Sequence, residues 1–255
     1  MCGGGWHTST RQTCLEMTSA NNTWVPHSNM TSKRQNHGMV SMLGEILVIG
    51  GHYSDKTMES SDPWNVEWEK NDHSLPEIFD NSCEVKISAD MIIYTGGWCC
   101  GGLGARNKAV SYNRTSNEFK NLPNMIHSRE APSCSLIKDE KKNITGVLVA
   151  GGKSDRNGNE GISSSEFFNL ATEEWTPVGS LNTRRMDAVM VYIEDKLKIM
   201  GGRYVDTWTD DTVYLKSIEE FNITSMTWSK TSEELFDTTI GDKAIAVPRS
   251  MFLNL

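Results

Sequence analysis

The stretch VLVAGGKSDRNGNEGISSSEFFNLATEEWTPV, residues 147–178, combines three features that recur along the chain. An apolar run ends in two adjacent glycines, a polar segment follows, and a Phe and a Trp then stand seven positions apart. A single copy of this order fits any strand and loop. Its repetition at a regular spacing predicts an architecture built from one structural unit.

Paired glycines end five apolar runs, and the last four pairs are spaced by about 50 residues. A residue without Cβ can adopt a positive φ and lets another chain segment approach closely. We therefore expect each pair to mark the point where a strand leaves its sheet. The ten glycines are Gly4, Gly5, Gly50, Gly51, Gly96, Gly97, Gly151, Gly152, Gly201 and Gly202.

Aromatic residues seven positions apart follow the glycine pairs, as in Tyr112 with Phe119, and Met17 with Trp24 fits the same pattern. The polar residues between them predict a hairpin turn that joins two strands. In the second repeat Ser61 takes the first aromatic position, so the third strand is least defined over residues 52–72. The expected outer-strand residues are Trp24, Trp68, Phe119, Trp175 and Trp228.

A four-stranded unit of about 50 residues cannot bury both of its faces alone, and radial stacking of such units gives an all-β propeller. The glycine pairs, the aromatic spacing and the period resemble kelch repeats and cover residues 1–255 as a single domain. This resemblance implies a kelch-type β-propeller of about five four-stranded blades. Two alternatives remain open. Either the final run, residues 243–255, completes the first blade, or the chain is a fragment of a six-bladed propeller.

The charge distribution argues against nucleic-acid and lipid partners. The formal net charge is -8, the pI is about 5.3, and no run of Lys and Arg exceeds two residues. The chain also has no apolar segment of bilayer-spanning length, and its first residues lack the basic and apolar regions of a signal peptide. We expect neither nucleic-acid binding nor membrane insertion.

The six cysteines and five glycosylation sequons bear on the cellular compartment. Cys2 and Cys14 flank neighbouring predicted strands, which suits either a disulfide or buried thiols, and their placement resembles secreted kelch-type proteins of animals. The sequons favour an extracellular or secretory-pathway location over a cytoplasmic one, although Asn and Thr are also common turn residues. The sequons begin at Asn21, Asn29, Asn113, Asn143 and Asn222.

Catalytic chemistry finds little support in the residue pattern. A galactose-oxidase-like copper site would need paired histidines and tyrosines, whereas the six histidines stand singly. The adjacent Cys99 and Cys100 have no second cysteine pair at zinc-ligand spacing. We therefore expect no catalytic residues, no metal and no cofactor, and an oxidase or sugar-isomerising propeller enzyme is the alternative.

The segments that follow the glycine pairs differ in length and charge, as recognition loops do. Their aromatic and Arg residues are the types enriched in binding hot spots, although the same residues would also shield a propeller rim. The main hypothesis is a non-catalytic module that binds a protein partner through loops on one face. Its binding residues are expected among Tyr53, Trp98, Arg106, Arg156, Arg203, Tyr204 and Trp208.

Overall fold

The computed structural model describes residues 2–3, 11–18, 23–52, 56–62, 67–99, 104–154, 160–193 and 196–238. Within these ranges the regular structure is β-strand, apart from one short 3-10 helix at Glu140–Lys142. No helix in the described ranges is long and apolar enough to cross a membrane. The chain divides into two compact units, Met1–Leu122 and Pro123–Leu255.

The first unit contains an N-terminal hairpin and two four-stranded antiparallel sheets. The hairpin pairs β1 (Cys14–Thr18) with β2 (Thr23–His27). Sheet 1 consists of β3 (Gly38–Met42), β4 (Glu45–Ile49), β5 (Met58–Ser61) and β6 (Trp68–Lys70). Sheet 2 consists of β7 (Cys83–Lys86), β8 (Met91–Thr95), β11 (Ala109–Asn113) and β12 (Glu118–Asn121), with the small hairpin β9 (Trp98–Cys99) and β10 (Gly104–Ala105) between its second and third strands.

The second unit contains two further sheets of the same strand order. Sheet 3 consists of β13 (Ser133–Asp139), β14 (Ile144–Ala150), β15 (Ser165–Asn169) and β16 (Glu174–Val178). Sheet 4 consists of β17 (Val189–Ile193), β18 (Lys196–Met200), β21 (Ser217–Asn222) and β22 (Thr227–Glu234), with the hairpin β19 (Arg203–Val205) and β20 (Thr212–Tyr214) before its third strand.

The aromatic spacing sets the register of the two outer strands. Phe168 lies directly opposite Trp175, and their ring centroids are 4.9 Å apart. In sheet 1, Ser61 lies opposite Trp68 in the same position, so β5 forms with regular pairing although it lacks the first aromatic residue. The hairpin residues Met17 and Trp24 also lie opposite each other.

The second strands of sheets 1, 2 and 3 are largely buried on both faces, which explains their apolar runs, whereas β18 of sheet 4 also carries Lys196 and Lys198. In the first unit, Leu47 and Ile49 of sheet 1 pack with Ile92 and Tyr94 of sheet 2. Corresponding packing in the second unit joins β14 to β18. Each fully buried Leu or Ile side chain in such a core contributes about 1.5–3 kcal/mol.

In each unit, the paired glycines of the first sheet contact the segment that enters the second sheet. Gly51 has a φ of 89°, and a Cβ there would lie 2.6 Å from the carbonyl oxygen of Gln35. Its N–H donates to the carbonyl of Phe79 at 2.7 Å, and the N–H of Gly152 donates to the carbonyl of Arg185 at 2.8 Å. Only glycine fits this backbone geometry.

Within each unit, two four-stranded antiparallel sheets pack face to face, as propeller blades do. The all-β propeller predicted from the sequence is confirmed. Gly4, Gly5 and the predicted closing run at residues 243–255 lie outside the described residues.

Candidate functional site

Each sheet has one edge at which its second strand ends in the glycine pair. We call this the Gly–Gly edge, marked by Gly50–Gly51, Gly96–Gly97, Gly151–Gly152 and Gly201–Gly202. Because the strands are antiparallel, the segment from the second to the third strand and the segment entering the first strand both lie at this edge. The short turns within each sheet lie at the opposite edge, here the turn edge.

In sheets 1, 3 and 4 a buried arginine holds together the two ends of the loop that follows the glycine pair. Arg34 Nη1 donates to the carbonyl of Gly50 at 2.8 Å and to the carbonyl of Thr57 at 3.0 Å. These residues are the first and last of the loop in sheet 1. The equivalent bonds run from Arg129 to Gly151 and Ser164, and from Arg185 to Gly201 and Ser217.

A buried glutamate on the third strand balances each guanidinium. The closest nitrogen–oxygen distances are 2.7 Å for Arg34–Glu59, 2.9 Å for Arg129–Glu166 and 2.8 Å for Arg185–Glu219. All six side chains are fully buried. Burial lowers the pKa of each arginine, and its hydrogen-bonded glutamate opposes that shift. Removing one partner of such a pair leaves the other charge buried without compensation, which destabilises the fold.

The glutamates also fix the segment that enters the first strand. Glu166 accepts hydrogen bonds from the backbone N–H of Ile126 at 2.6 Å and of His127 at 3.3 Å. Glu219 accepts from Asn182 at 2.7 Å in the same way. Each arginine–glutamate pair therefore joins the entering segment, the end of the second strand and the start of the third strand.

These arginines and glutamates were not among the residues predicted from the sequence. In the sequence, each of these arginines stands four positions after an apolar residue that is buried in the core. These apolar residues are Met30, Met125 and Leu181. The partners stand 25 to 37 residues apart, so the pairing itself becomes visible only when the strands are in register.

Two of the predicted binding residues lie at the Gly–Gly edge of sheet 2. Trp98 begins β9, and its N–H donates to the carbonyl of Asp80 at 2.6 Å. Arg106 forms an ion pair with Glu77 at 2.5 Å, and about a fifth of each side chain is exposed. Both residues are therefore held in place by the protein itself. The predicted Tyr53 lies outside the described residues.

At the Gly–Gly edge of sheet 4, Arg203 is part of an ion pair. Its Nε donates to Asp187 Oδ2 at 2.8 Å. Burial raises the pKa of the Asp187 carboxyl, and the Arg203 charge opposes this shift. Arg203 thus neutralises the largely buried carboxylate of Asp187. The predicted binding residue Arg156 lies outside the described residues.

The β19–β20 hairpin carries a tryptophan that is almost fully exposed. Trp208 lies between the two strands and is 94% exposed. The backbone N–H of Trp208 donates to Asp206 Oδ1 at 2.9 Å, which orders the turn. On the adjoining strand, the Tyr204 ring lies 4.9 Å from the Arg184 guanidinium, a cation–π distance. The hairpin therefore presents an aromatic tip on an ordered base.

The sulfur and metal-ligand chemistry of the described residues is limited. Cys2 and Cys14 form a disulfide with a Cα–Cα distance of 4.0 Å. Cys83 takes part in a disulfide, and so does Cys134. Across the described ranges, no group of three or more His, Cys, Asp and Glu side chains is placed to hold a metal ion.

Comparison with known proteins identifies the repeat type. No family model matches the chain. The Kelch-like protein terF of Aspergillus terreus is 24% identical over 79% of this chain, and human Kelch-like protein 23 is 23% identical over 80% of it. These matches span only 45% and 34% of the two relatives, so the chain corresponds to less than half of each.

The structural comparison agrees with the sequence matches. The solved structure of YjhT superposes with a TM-score of 0.72 and 15% identity, covering 91% of this chain and 80% of that protein. An identity of this size supports the fold alone. The paired glycines, the four-stranded sheets and the Kelch-like relatives together support a β-propeller of the kelch-repeat type.

Proposed function

We propose that the chain is a non-catalytic module that binds a protein partner through the loops of the Gly–Gly edge. Its sequence relatives are Kelch-like proteins, and propellers of this type serve as scaffolds for variable loops. The buried pairs Arg34–Glu59, Arg129–Glu166 and Arg185–Glu219, here called the arginine clamps, hold the loop bases fixed. This reduces the entropy lost when the loops bind a partner. The loops can therefore vary while the sheets stay unchanged.

The observation that carries this proposal is the exposure of Trp208 on the ordered β19–β20 hairpin. Tryptophan is enriched among the residues that carry most of the binding energy near the centres of protein interfaces. The hairpin base is held by Tyr204, which packs on Arg184. Trp208 is thus presented in a defined position, as a binding anchor requires.

The test is partner capture by purified chain carrying Trp208→Ala, followed by quantitative mass spectrometry of the bound proteins. We expect the specific partner to be recovered at least about tenfold less, because an aromatic hot spot contributes roughly 2 kcal/mol or more. Tyr204→Ala should give a smaller loss. Thermal unfolding should be unchanged by Trp208→Ala, since the side chain contacts little of its own protein.

Trp24→Ala is the matched control, because Trp24 is also an exposed tryptophan, at 51%, but lies on strand β2. It should leave partner recovery unchanged. Equal loss of recovery in both variants would contradict a specific role for the hairpin. Turnover of a sugar panel by the purified chain, or stoichiometric copper, would contradict the non-catalytic assignment.

A further inference from the structure

Three of the glycosylation sequons begin in turns at the turn edge, away from the Gly–Gly loops. Asn113 ends β11 before the turn to β12, Asn143 lies between β13 and β14, and Asn222 ends β21 before the turn to β22. Asn29 follows β2, in the segment that leads into sheet 1. Asn21 lies outside the described residues. The side-chain environments of the described sequons differ in ways that affect whether a glycan fits.

Asn222 has an exposed side chain that is already oriented by its own turn. Its Oδ1 accepts the backbone N–H of Thr224 at 2.8 Å and of Ser225 at 3.1 Å. Within the described part of the chain its amide nitrogen Nδ2 donates to no acceptor. A sugar attached to Nδ2 would therefore displace no hydrogen bond of the folded protein.

Asn143 is exposed and caps the short 3-10 helix with a left-handed backbone conformation, φ 52°. Among the described residues its carboxamide makes no hydrogen bond. The neighbouring Lys142 Nζ donates to Thr224 Oγ1, which places the Asn143 turn beside the Asn222 turn. The two exposed acceptors thus lie at one end of the second unit.

Asn113 provides the contrast, because its turn has the same backbone pattern but its amide nitrogen is used. Its Oδ1 accepts the N–H of Thr115 at 2.9 Å, while its Nδ2 donates to Asp90 Oδ2 at 3.3 Å. The side chain is half-buried. Hydrogen bonds from Ser88 and, to a lesser degree, Asn113 lower the pKa of the Asp90 carboxyl. A glycan at Asn113 would leave Nδ2 a single proton and would have to fit beside this contact at a half-buried side chain.

Asn29 is exposed, but its sequon is tied into the core. Met30 is buried, and Thr31, which supplies the sequon hydroxyl, donates that hydroxyl to the buried Glu59 at 2.8 Å. The same Glu59 balances Arg34. The sequon of Asn29 is therefore tied to an arginine–glutamate pair, and the hydroxyl that a glycosylation sequon needs is already used in the fold.

We propose that Asn143 and Asn222 are the N-glycan acceptors of the described chain and that Asn29 and Asn113 are not. In this reaction Nδ2 bonds to the anomeric carbon of a lipid diphosphate-linked oligosaccharide. The carbon–oxygen bond to the diphosphate breaks, the lipid diphosphate leaves with that electron pair, and the amide gives up one proton. The donor is a co-reactant of the secretory pathway.

The disulfides support this assignment independently, because disulfides persist in the oxidising compartments where the glycan donor is present. Cys2, Cys14, Cys83 and Cys134 are all disulfide-bonded. Sugars at the turn edge of sheets 3 and 4 would also leave the loops at the Gly–Gly edge of those sheets uncovered.

The experiment expresses the chain behind a heterologous signal peptide in cultured animal cells, with peptide N-glycosidase as the probe. The enzyme removes the glycans and converts each modified Asn to Asp, which mass spectrometry locates. Secreted and cell-retained protein are both examined, so poor secretion does not hide the modification. Among the four described sequons we expect glycans at Asn143 and Asn222 alone, and one glycan fewer after either Asn143→Gln or Asn222→Gln.

Asn113→Gln is the matched control and should leave the number of glycans unchanged. Absence of any glycan at both Asn143 and Asn222 would overturn the proposal. Majority occupancy of Asn113 or Asn29 would also overturn it, because folded contacts would then not distinguish the sequons. Thermal unfolding before and after deglycosylation should be the same, since neither acceptor uses its Nδ2 in the fold.

Discussion

Sheet 2 forms the base of its Gly–Gly edge without the charged pair that sheets 1, 3 and 4 share. Phe79 occupies the arginine position, since it accepts the N–H of Gly51 just as Arg185 accepts that of Gly152. Val110 occupies the glutamate position, and both residues are buried in the core. The Phe79 ring packs against Tyr94 with centroids 5.0 Å apart. One backbone geometry is therefore supported by either an ion pair or an apolar pair.

A third position changes together with these two. In sheets 1, 3 and 4 the glutamate accepts the backbone N–H three positions before the arginine, as from Ile126 and Asn182. The equivalent residue in sheet 2 is Pro76, which has no N–H to donate. The acceptor and its donor are thus absent together. The comparison teaches that a buried polar network is kept complete or removed as a set.

Breaking one complete network should have the largest effect. Glu166→Ala leaves the Arg129 guanidinium buried without its counter-ion and also removes the acceptor for Ile126. We expect the free energy of unfolding to fall by about 3–5 kcal/mol. Denaturant titration followed by tryptophan fluorescence measures this. Glu174→Ala, at an exposed site on β16, should change the value by less than about 0.5 kcal/mol, and similar losses in both variants would contradict the network.

Replacing the charged pair of sheet 3 with the apolar residues that sheet 2 has at these positions should avoid most of the stability loss expected for Glu166→Ala. The combined variant carries Ile126→Pro, Arg129→Phe and Glu166→Val. We expect it to lie within about 2 kcal/mol of the unmodified chain, because buried ion pairs are replaced by packed apolar residues at little net cost. The same denaturant titration applies. A loss as large as that of Glu166→Ala would show that the carbonyls of Gly151 and Ser164 need the guanidinium itself.

The outer strands offer a smaller test of the same contrast. Trp228 of sheet 4 donates its Nε1 proton to Ser165 Oγ at 3.0 Å, whereas sheet 2 has Phe119 at this position and no such donor. Trp228→Phe should lower the free energy of unfolding by about 1 kcal/mol beyond any packing loss. A double-mutant cycle with Ser165→Ala isolates the hydrogen bond, and a coupling of zero would contradict its contribution.

Strand positions could be predicted from the sequence because the same pattern of residues occurs in several repeats. The glycine pairs and aromatic spacing gave the second, third and fourth strands of most repeats. The third strand of sheet 1 was least defined because Ser61 lacks an aromatic side chain, yet it pairs with Trp68. Backbone hydrogen bonds and the burial of Met58 hold this strand although it carries no aromatic residue of its own.

The candidate site was less predictable because its contacts join distant parts of the sequence. Residue type indicated which loops carry aromatic and arginine side chains, including Trp208. It could not indicate that Arg203 faces Asp187 or that Arg106 faces Glu77, since these contacts depend on how neighbouring segments meet. The arginine–glutamate pairs depend equally on strand register.

The arginine clamps have a consequence for how this edge can change. Arg34, Arg129 and Arg185 each bind both stems of a loop, although the loops differ widely in length. The cost of closing a longer loop rises only slowly with its length, and here the stems are already fastened. Insertions and deletions between the stems, or a foreign peptide grafted after Gly202, are therefore accommodated without repacking the blades, so new recognition segments can arise in a single mutational step.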